Sequence, residues 1–329
     1  MDAGLLHWIV CPLCGADLDA ELECVRGHTF PIVDGVPRLV PSVQSKAEAS
    51  IRDSFSREWG AFDYDADRTW GANVDERVAD FLRHTRLEPA QLKGKLVADA
   101  GCGNGVLSHR LAELFGCDVV ATDISESVVA ARHYFADEAR VHYVQSDLMH
   151  LALRPATFDV VYCAGVLHHT PDPCRTFINV ASAVKPGGVC FVWLYWDEAG
   201  AKARAAELLR RALMPLPDRA QHAIVWSLVP QSIARQRLRL RLHGEGSERR
   251  MTSREQFVRM LDSFTPRHRS RHTPYQLADW YATTGFADVE TTEAGRSGFG
   301  LVARRPASPV ARVAAPFRAE TRRSLSRHG

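Results

Sequence analysis

Val97-Ala98-Asp99-Ala100-Gly101-Cys102-Gly103-Asn104-Gly105 is the stretch whose reading decides the fold. A short apolar run enters a glycine-rich turn, and a helix-forming segment, Val106 to Phe115, follows it. A strand, a tight turn and a helix N-terminus in that order make a nucleotide-cofactor cradle. The three glycines let the backbone approach a ligand with no Cβ in the way. Asp99 stands just before the turn. Its carboxylate would repel a pyrophosphate and favour a ligand that carries positive charge.

Outward from the turn, strand-like and helix-like segments alternate. Strand-like runs are 95–100, 117–122, 140–145, 158–163 and 187–196, and helix-like runs are 105–115, 126–136 and 173–184. This alternation predicts a parallel sheet with helices on both faces and right-handed crossovers. Acids close three successive strands: Asp99, then Asp123, then Asp147. Open α/β sheets bind ligands at this carboxyl edge. Asp123 is placed to accept both hydroxyls of a ribose, and Asp147 to accept from an adenine amino group. Ile124 and Leu148 would sandwich the ring. Gly101, Cys102 and Gly103, with Ala164 after the fourth strand, complete the cofactor-binding set. An acid-lined cradle suits a cofactor bearing an ammonium and a sulfonium, so the expected cofactor is S-adenosylmethionine (SAM) rather than NAD.

As a set, these motifs resemble the class I SAM-dependent methyltransferases. Residues 97–105, Asp123 and Asp147 carry the resemblance, with Phe158-Asp159-Val160-Val161-Tyr162 and Leu167-His168-His169-Thr170-Pro171-Asp172-Pro173. Val184-Lys185-Pro186-Gly187-Gly188 adds the turn before the fifth strand. The resemblance implies a Rossmann-like sheet of seven strands with the last strand antiparallel. It also implies an in-line displacement, in which the protein positions a nucleophile and excludes water. By resemblance to the phosphobase and small-molecule branch of that family, His169 lines up with a histidine that serves as general base. His168, beside it, occupies a more variable position. For both, a purely structural role in shaping the loop stays open. Tyr195, Trp196, His272, Tyr275 and Trp280 are candidates for the acceptor pocket, against the alternative of core packing or simple exposure.

The first forty residues are a second unit. Cys11 and Cys14 form a knuckle, and Cys24 and His28 follow, a four-coordinate closed donor set suited to structural zinc. A unit this small needs such a staple to hold a core. The string Cys-Pro-x-Cys-Gly, Cys-x3-His-x-Phe-Pro-Ile and Asp-Gly-Val-Pro-x-Leu resembles the zinc-binding head of large-subunit ribosomal RNA guanine methyltransferases. It also resembles the small zinc proteins that activate tRNA and protein methyltransferases. The remaining cysteines, Cys102, Cys117, Cys163, Cys174 and Cys190, are scattered and read as small buried residues.

Expected boundaries are a zinc-binding head over 1–40, a linker and helical aromatic lid over 41–90, and a methyltransferase core over 91–196 and 275–305. A helical insertion or cap spans 197–274, and a disordered basic tail spans 306–329. At 46% hydrophobic and 24% charged the chain has ordinary globular composition, which excludes a wholly disordered or fibrous protein. No apolar run reaches the roughly 18–20 residues a membrane span needs. The start has no basic n-region, so a cytoplasmic location is expected. The sequence carries no signature of oligomeric state.

Net charge is +2, but residues 197–274 hold 16 Lys/Arg against 8 Asp/Glu, and 303–329 hold 7 against 1. Three functions are in contention. A methyltransferase acting on an oxygen or nitrogen of a small molecule is favoured by the His169 loop, the aromatic lid and the cap. An RNA base methyltransferase draws on the zinc head and on RNA contacts through the basic insertion and tail. Against it, Cys163-Ala164-Gly165-Val166 stands where base-amine methylation often uses an Asn-Pro-Pro-Tyr-type loop. A non-catalytic binding protein is disfavoured by the intact cofactor acids.

Overall fold

The computed structural model describes residues 4–41, 52–53, 55–56, 59, 68–69, 72–196, 201–243, 251–266, 268–295 and 297–308. The linker expected from 41 and the tail expected from 306 fall largely outside the described residues. In chain order the elements begin with β1 (Ile32–Val33), β2 (Val36–Leu39), β3 (Arg68–Thr69), β4 (Ala72–Asn73) and α1 (Val74–Thr85). The alternating part follows: β5 (Leu96–Ala100), α2 (Val106–Phe115), β6 (Asp118–Asp123), α3 (Ser127–Tyr134), β7 (Val141–Ser146) and β8 (Phe158–Ala164). It ends with α4 (Pro173–Ser182) and β9 (Val184–Tyr195). Three helices come next, α5 (Ala201–Leu213), α6 (Asp218–His243) and α7 (Ser253–Phe264). The chain then returns through α8 (Pro274–Thr283), β10 (Ala287–Ala294) and β11 (Gly298–Arg304).

Local chemistry sets these boundaries. Asn73 accepts from the Glu76 amide while the Glu76 side chain accepts from the Asn73 amide, a reciprocal cap that starts α1. Asp172 caps α4, whose first residue, Pro173, has no amide hydrogen to leave unpaired. Gly116 ends α2 in the left-handed region, where a side chain would be strained. Thr273 and Gln276 repeat the reciprocal cap at α8.

The main sheet runs in the order β1-β2-β7-β6-β5-β8-β9-β11-β10. Strands β7, β6, β5, β8 and β9 are parallel, and β11 is antiparallel to both β9 and β10. The expected Rossmann-like α/β sheet with an antiparallel last strand is therefore present. Its strand count is a correction: nine strands, not seven. The added pair comes from the first forty residues. An edge strand carries unpaired backbone groups that another strand can satisfy. Here β2 pairs in parallel with β7, Arg38 opposite Gln145 and Leu39 opposite Ser146. The Arg38 guanidinium also forks onto Glu126 at 3.0 and 2.6 Å.

Both sheet faces are covered, as parallel strands require. Val97, Val119 and Val160 point to the face packed by Phe81 of α1, Leu111 of α2 and Val128 of α3. Their neighbours Ala98, Val120 and Val161 point to the opposite face, against Phe177 of α4 and Tyr281 of α8. Leu5, Ile9, Leu22 and Phe30 join this second layer, so the N-terminal unit shares the main core. The α5–α7 helices instead pack around a small cluster of their own, with Leu213, Val225 and Leu261 at its centre. No helix among the described residues is long and apolar enough to cross a membrane.

Phe177 is fully buried, its ring 4.8 Å from that of Tyr281 and 5.8 Å from that of Trp280. Phe177→Ala is expected to cost about 3–5 kcal/mol, measured as a lower urea midpoint with an unchanged m-value.

Candidate active site

The strand ends, the glycine turn and the helices α5–α7 line a cavity of about 840 Å³. That volume lies in the range of small-molecule sites. Eight of the nine cofactor positions expected from the sequence line it: Asp99, Gly101, Cys102, Asp123, Ile124, Asp147, Leu148 and Ala164. Gly103 does not, because the ring of Trp59 lies against it. A Cβ on Gly103 would stand 2.7 Å from that ring, and one on Gly101 would collide with Val166. Gly101 and Gly103 both have positive φ, +88° and +56° respectively. The turn is thus close-packed by Val166 on one side and Trp59 on the other. Phe55 also lines the cavity, its ring 5.4 Å from that of His169.

The three acids differ in their surroundings. Asp99 accepts a 2.6 Å hydrogen bond from the Ser108 hydroxyl. Burial pushes its carboxyl up to about 6, against smaller opposing effects of Ser108 and Arg77. Asp123 accepts from the Gly103 amide at 2.9 Å and from the Ser125 amide and hydroxyl at 2.9 and 2.7 Å, which locks the turn to the end of β6. Asp147 accepts from the Met149 amide at 2.9 Å and lies 3.3 Å from His150 Nδ1.

At the other end stands His169, 2% exposed and lining the cavity. Its Nδ1 lies 3.1 Å from the carbonyl oxygen of His268. A carbonyl oxygen can only accept, so Nδ1 carries a proton. Nε2 has no hydrogen-bond partner, yet it lies 3.2 Å from Asp262 Oδ1, off the line a hydrogen bond needs. The other Asp262 oxygen accepts from the Tyr195 hydroxyl. Burial pushes the Asp262 carboxyl up, but His169, Tyr195 and Arg269 outweigh it and hold it below the ordinary value. His168 is placed differently. It is fully buried beside Tyr195, 4.0 Å between ring centres, and does not line the cavity. Burial pushes its imidazole well below the ordinary value, so the ring is neutral.

Of the five acceptor-pocket candidates, Tyr195 lines the cavity and the others do not. Trp196 donates to the Gly295 carbonyl, His272 meets the Ser270 hydroxyl at 2.7 Å, Trp280 packs on Phe177, and Tyr275 is 63% exposed. Sequence reading missed Asp262, which reaches His169 from α7 across 93 positions. It also missed Arg77 on α1, which lines the cavity 3.5 Å from Asn104. Neither stands in a motif. An acid three residues after an arginine in an amphipathic helix reads as a solvated face.

Cys11, Cys14, Cys24 and His28 meet, their donor atoms all within 4.8 Å of one another. Cys11 and Cys24 sulfurs lie 3.4 and 3.3 Å from His28 Nδ1, and the Cys14 and Cys24 sulfurs lie 3.7 Å apart. Tetrahedral zinc, with Zn–S about 2.3 Å and Zn–N about 2.0 Å, places its ligand atoms roughly 3.5–3.8 Å apart. The donor set fits that ion.

Residues 98–192 match the family model described as methyltransferase domain. The chain is 41% identical over 102 residues to a ubiquinone biosynthesis O-methyltransferase of Coxiella burnetii, covering 30% of this chain and 43% of that one. A ubiquinone biosynthesis O-methyltransferase of Xanthomonas euvesicatoria is 34% identical over 157 residues, 46% of this chain and 65% of that one. The chain thus spans about half the length of the curated relatives it matches. Among solved structures, the 1,6-didemethyltoxoflavin-N1-methyltransferase of Burkholderia thailandensis superposes with a TM-score of 0.45 at 17% identity, over 81% of this chain and 93% of that one.

Two predictions follow from this geometry. The donor set predicts one zinc per chain, measured by metal analysis. Chelation or Cys14→Ser should remove the metal and lower the melting temperature, and metal-free protein with an unchanged melting curve would contradict it. For Asp99, the folded chain holds its proton up to about pH 6, whereas the unfolded chain releases it near pH 4. The unliganded protein should therefore lose ~3 kcal/mol of stability as pH rises through that window, and Asp99→Asn should flatten the slope in urea titrations.

Proposed function

We propose, from a chain whose residues 98–192 form a class I SAM-dependent methyltransferase domain, that it transfers a methyl group from SAM to an oxygen or nitrogen of a small molecule. One observation carries this reading. His169, its Nδ1 proton held by a backbone carbonyl and its Nε2 beside the Asp262 carboxylate, lines the same cavity as the glycine turn and its three acids.

When bound, SAM supplies a methyl group on a sulfonium, which a nucleophile takes by in-line displacement. The chain's residues divide the remaining work. Asp147 and Asp123 are assigned to the adenine amino group and the ribose hydroxyls, with Ile124 and Leu148 against the ring. Asp99 would face the ammonium through the turn, and Arg77 would meet the methionine carboxylate. A bound cation near Asp99 also offsets the cost of burying its charge. His169 Nε2 takes the proton that the acceptor loses as its bond to the methyl group forms. The Asp262 carboxylate beside Nε2 stabilises the resulting imidazolium, while Tyr195 holds that carboxylate in place. The neutral, walled-in His168 has no part in this transfer. Trp59 and Phe55 of the expected lid, with α5–α7 as the cap, exclude water from the cavity. The zinc is structural: its four protein donors leave no open position for catalysis.

His169→Ala is expected to lower kcat by about 10²–10⁴-fold while SAM affinity, read by calorimetry, stays within a factor of two or so. Asp262→Asn should lower kcat by roughly tenfold, again without loss of SAM binding. An unchanged kcat in His169→Ala removes that residue from the chemistry. No SAM binding by the wild type defeats the whole reading.

A further inference from the structure

Helix α6 is apolar on two sides. Val225 belongs to the cap's own cluster, and Val229, one turn further on, is buried as well. A surface helix that buries one stripe is expected to be polar over the rest. Instead Trp226, Pro230, Ala234, Leu238 and Leu242 are all exposed. They follow one another at intervals of four, so they form a single row along the helix, about 24 Å from end to end. Trp226, Leu238 and Leu242 are 51%, 56% and 68% exposed, which is far more than scattered packing at a surface leaves open.

The same helix is strongly basic. It holds five arginines against one acid, Asp218, and four of the five lie between 235 and 241. Arg237 and Arg241 are exposed, and each immediately precedes a leucine of the row. With Val229 and Ile233 they line a groove of about 500 Å³ that runs beside it. Trp226 begins the row. Its ring stands edge-on to Phe257 of α7 at 4.9 Å, so it is anchored to the cap while half of it remains in solvent.

Leucines, a tryptophan and arginines on one exposed face suit a partner in which hydrocarbon and negative charge lie side by side. The surface of a bilayer containing anionic phospholipid has that chemistry. Leucines enter the acyl boundary, a tryptophan sits at headgroup depth, and guanidinium groups meet phosphates. Other occupants fit less well. A second copy would set one basic row against another. The chain's own segment 303–329, with 7 Lys/Arg against 1 Asp/Glu, has the same sign of charge. Single-stranded RNA would meet leucines where it needs aromatic rings for its bases to stack on.

We propose that the outer face of α6, from Trp226 to Leu242, docks on a membrane surface that carries anionic phospholipids. The contact is peripheral, with the row lying along the bilayer plane, and it does not depend on the methyl-transfer reading. Leu228 and Ser232 line the active-site cavity from the other side of the same helix. One cavity wall is therefore also the membrane contact.

The test is co-sedimentation of the full chain with two kinds of vesicle. One is phosphatidylcholine alone, and the other contains about a third phosphatidylglycerol. The anionic vesicles should bind the protein roughly tenfold or more tightly than the neutral ones, and high salt should remove most of that difference. Arg237→Gln combined with Arg241→Gln should weaken binding to anionic vesicles roughly tenfold. Leu238→Ser combined with Leu242→Ser should weaken it by about the same factor at unchanged charge. All four side chains are exposed, so both double variants should keep the wild-type melting temperature. If either fails to fold, Leu242→Ser alone and the salt dependence of the wild type decide the matter. A wild-type chain that ignores both vesicles, or binding that survives both double variants, overturns the proposal. So does a dimer that the leucine variant breaks while vesicles stay unbound, which would make the row an interface between copies. An RNA oligonucleotide held through Arg237 and Arg241, again with vesicles unbound, overturns it as well.

Discussion

A parallel sheet has no face it can leave in water, and the rest of this molecule is arranged around that constraint. Strands β5, β6 and β8 alternate Val97/Ala98, Val119/Val120 and Val160/Val161 between two apolar layers. Helices α1–α3 cover one face and α4 with α8 cover the other. The N-terminal unit completes the second layer with Leu5, Ile9 and Phe30 and adds β1 and β2 to the sheet edge. Because both faces are used, the carboxyl edge of the sheet is where functional groups can collect. The glycine turn, Asp99, Asp123 and Asp147 are there, and His169 follows at the end of β8.

The same constraint explains the independence of the cap. Helices α5–α7 find no free sheet face and pack around their own cluster. Their inner faces are then left to wall the cavity. Asp262 on α7 meets His169 on the core at 3.2 Å, so the proposed proton-accepting pair is shared between the two parts. The tautomer of His169 is set from the same side, by the carbonyl of His268. The helices α5–α7 and the segment after them thus meet the His169 ring through these contacts.

The core was legible because its signals are local. Expected strand and helix boundaries from 95 to 196 fall within a few residues of the observed ones. Strand β9 starts earlier than expected, at Val184, through an irregular register against β8. The four-donor cluster was legible for the same reason: Cys11, Cys14, Cys24 and His28 carry their spacing within eighteen residues. The edge pairing of β2 with β7 was not, since it joins residues more than a hundred positions apart and leaves no periodic trace.

The chain's pattern alone therefore specified the type of sheet, the glycine turn, the acids at its strand ends and the cluster of three cysteines and a histidine. Each depends on side chains a few positions apart, where spacing and backbone geometry settle what meets what. Tertiary structure alone decided that His169 lines the cavity while its neighbour His168 is walled in. It also decided that Asp262 and Arg77 line the same cavity as His169. Those outcomes depend on how separate helices pack against a finished core. An acid or an arginine on a helix read in isolation is indistinguishable from a solvated face.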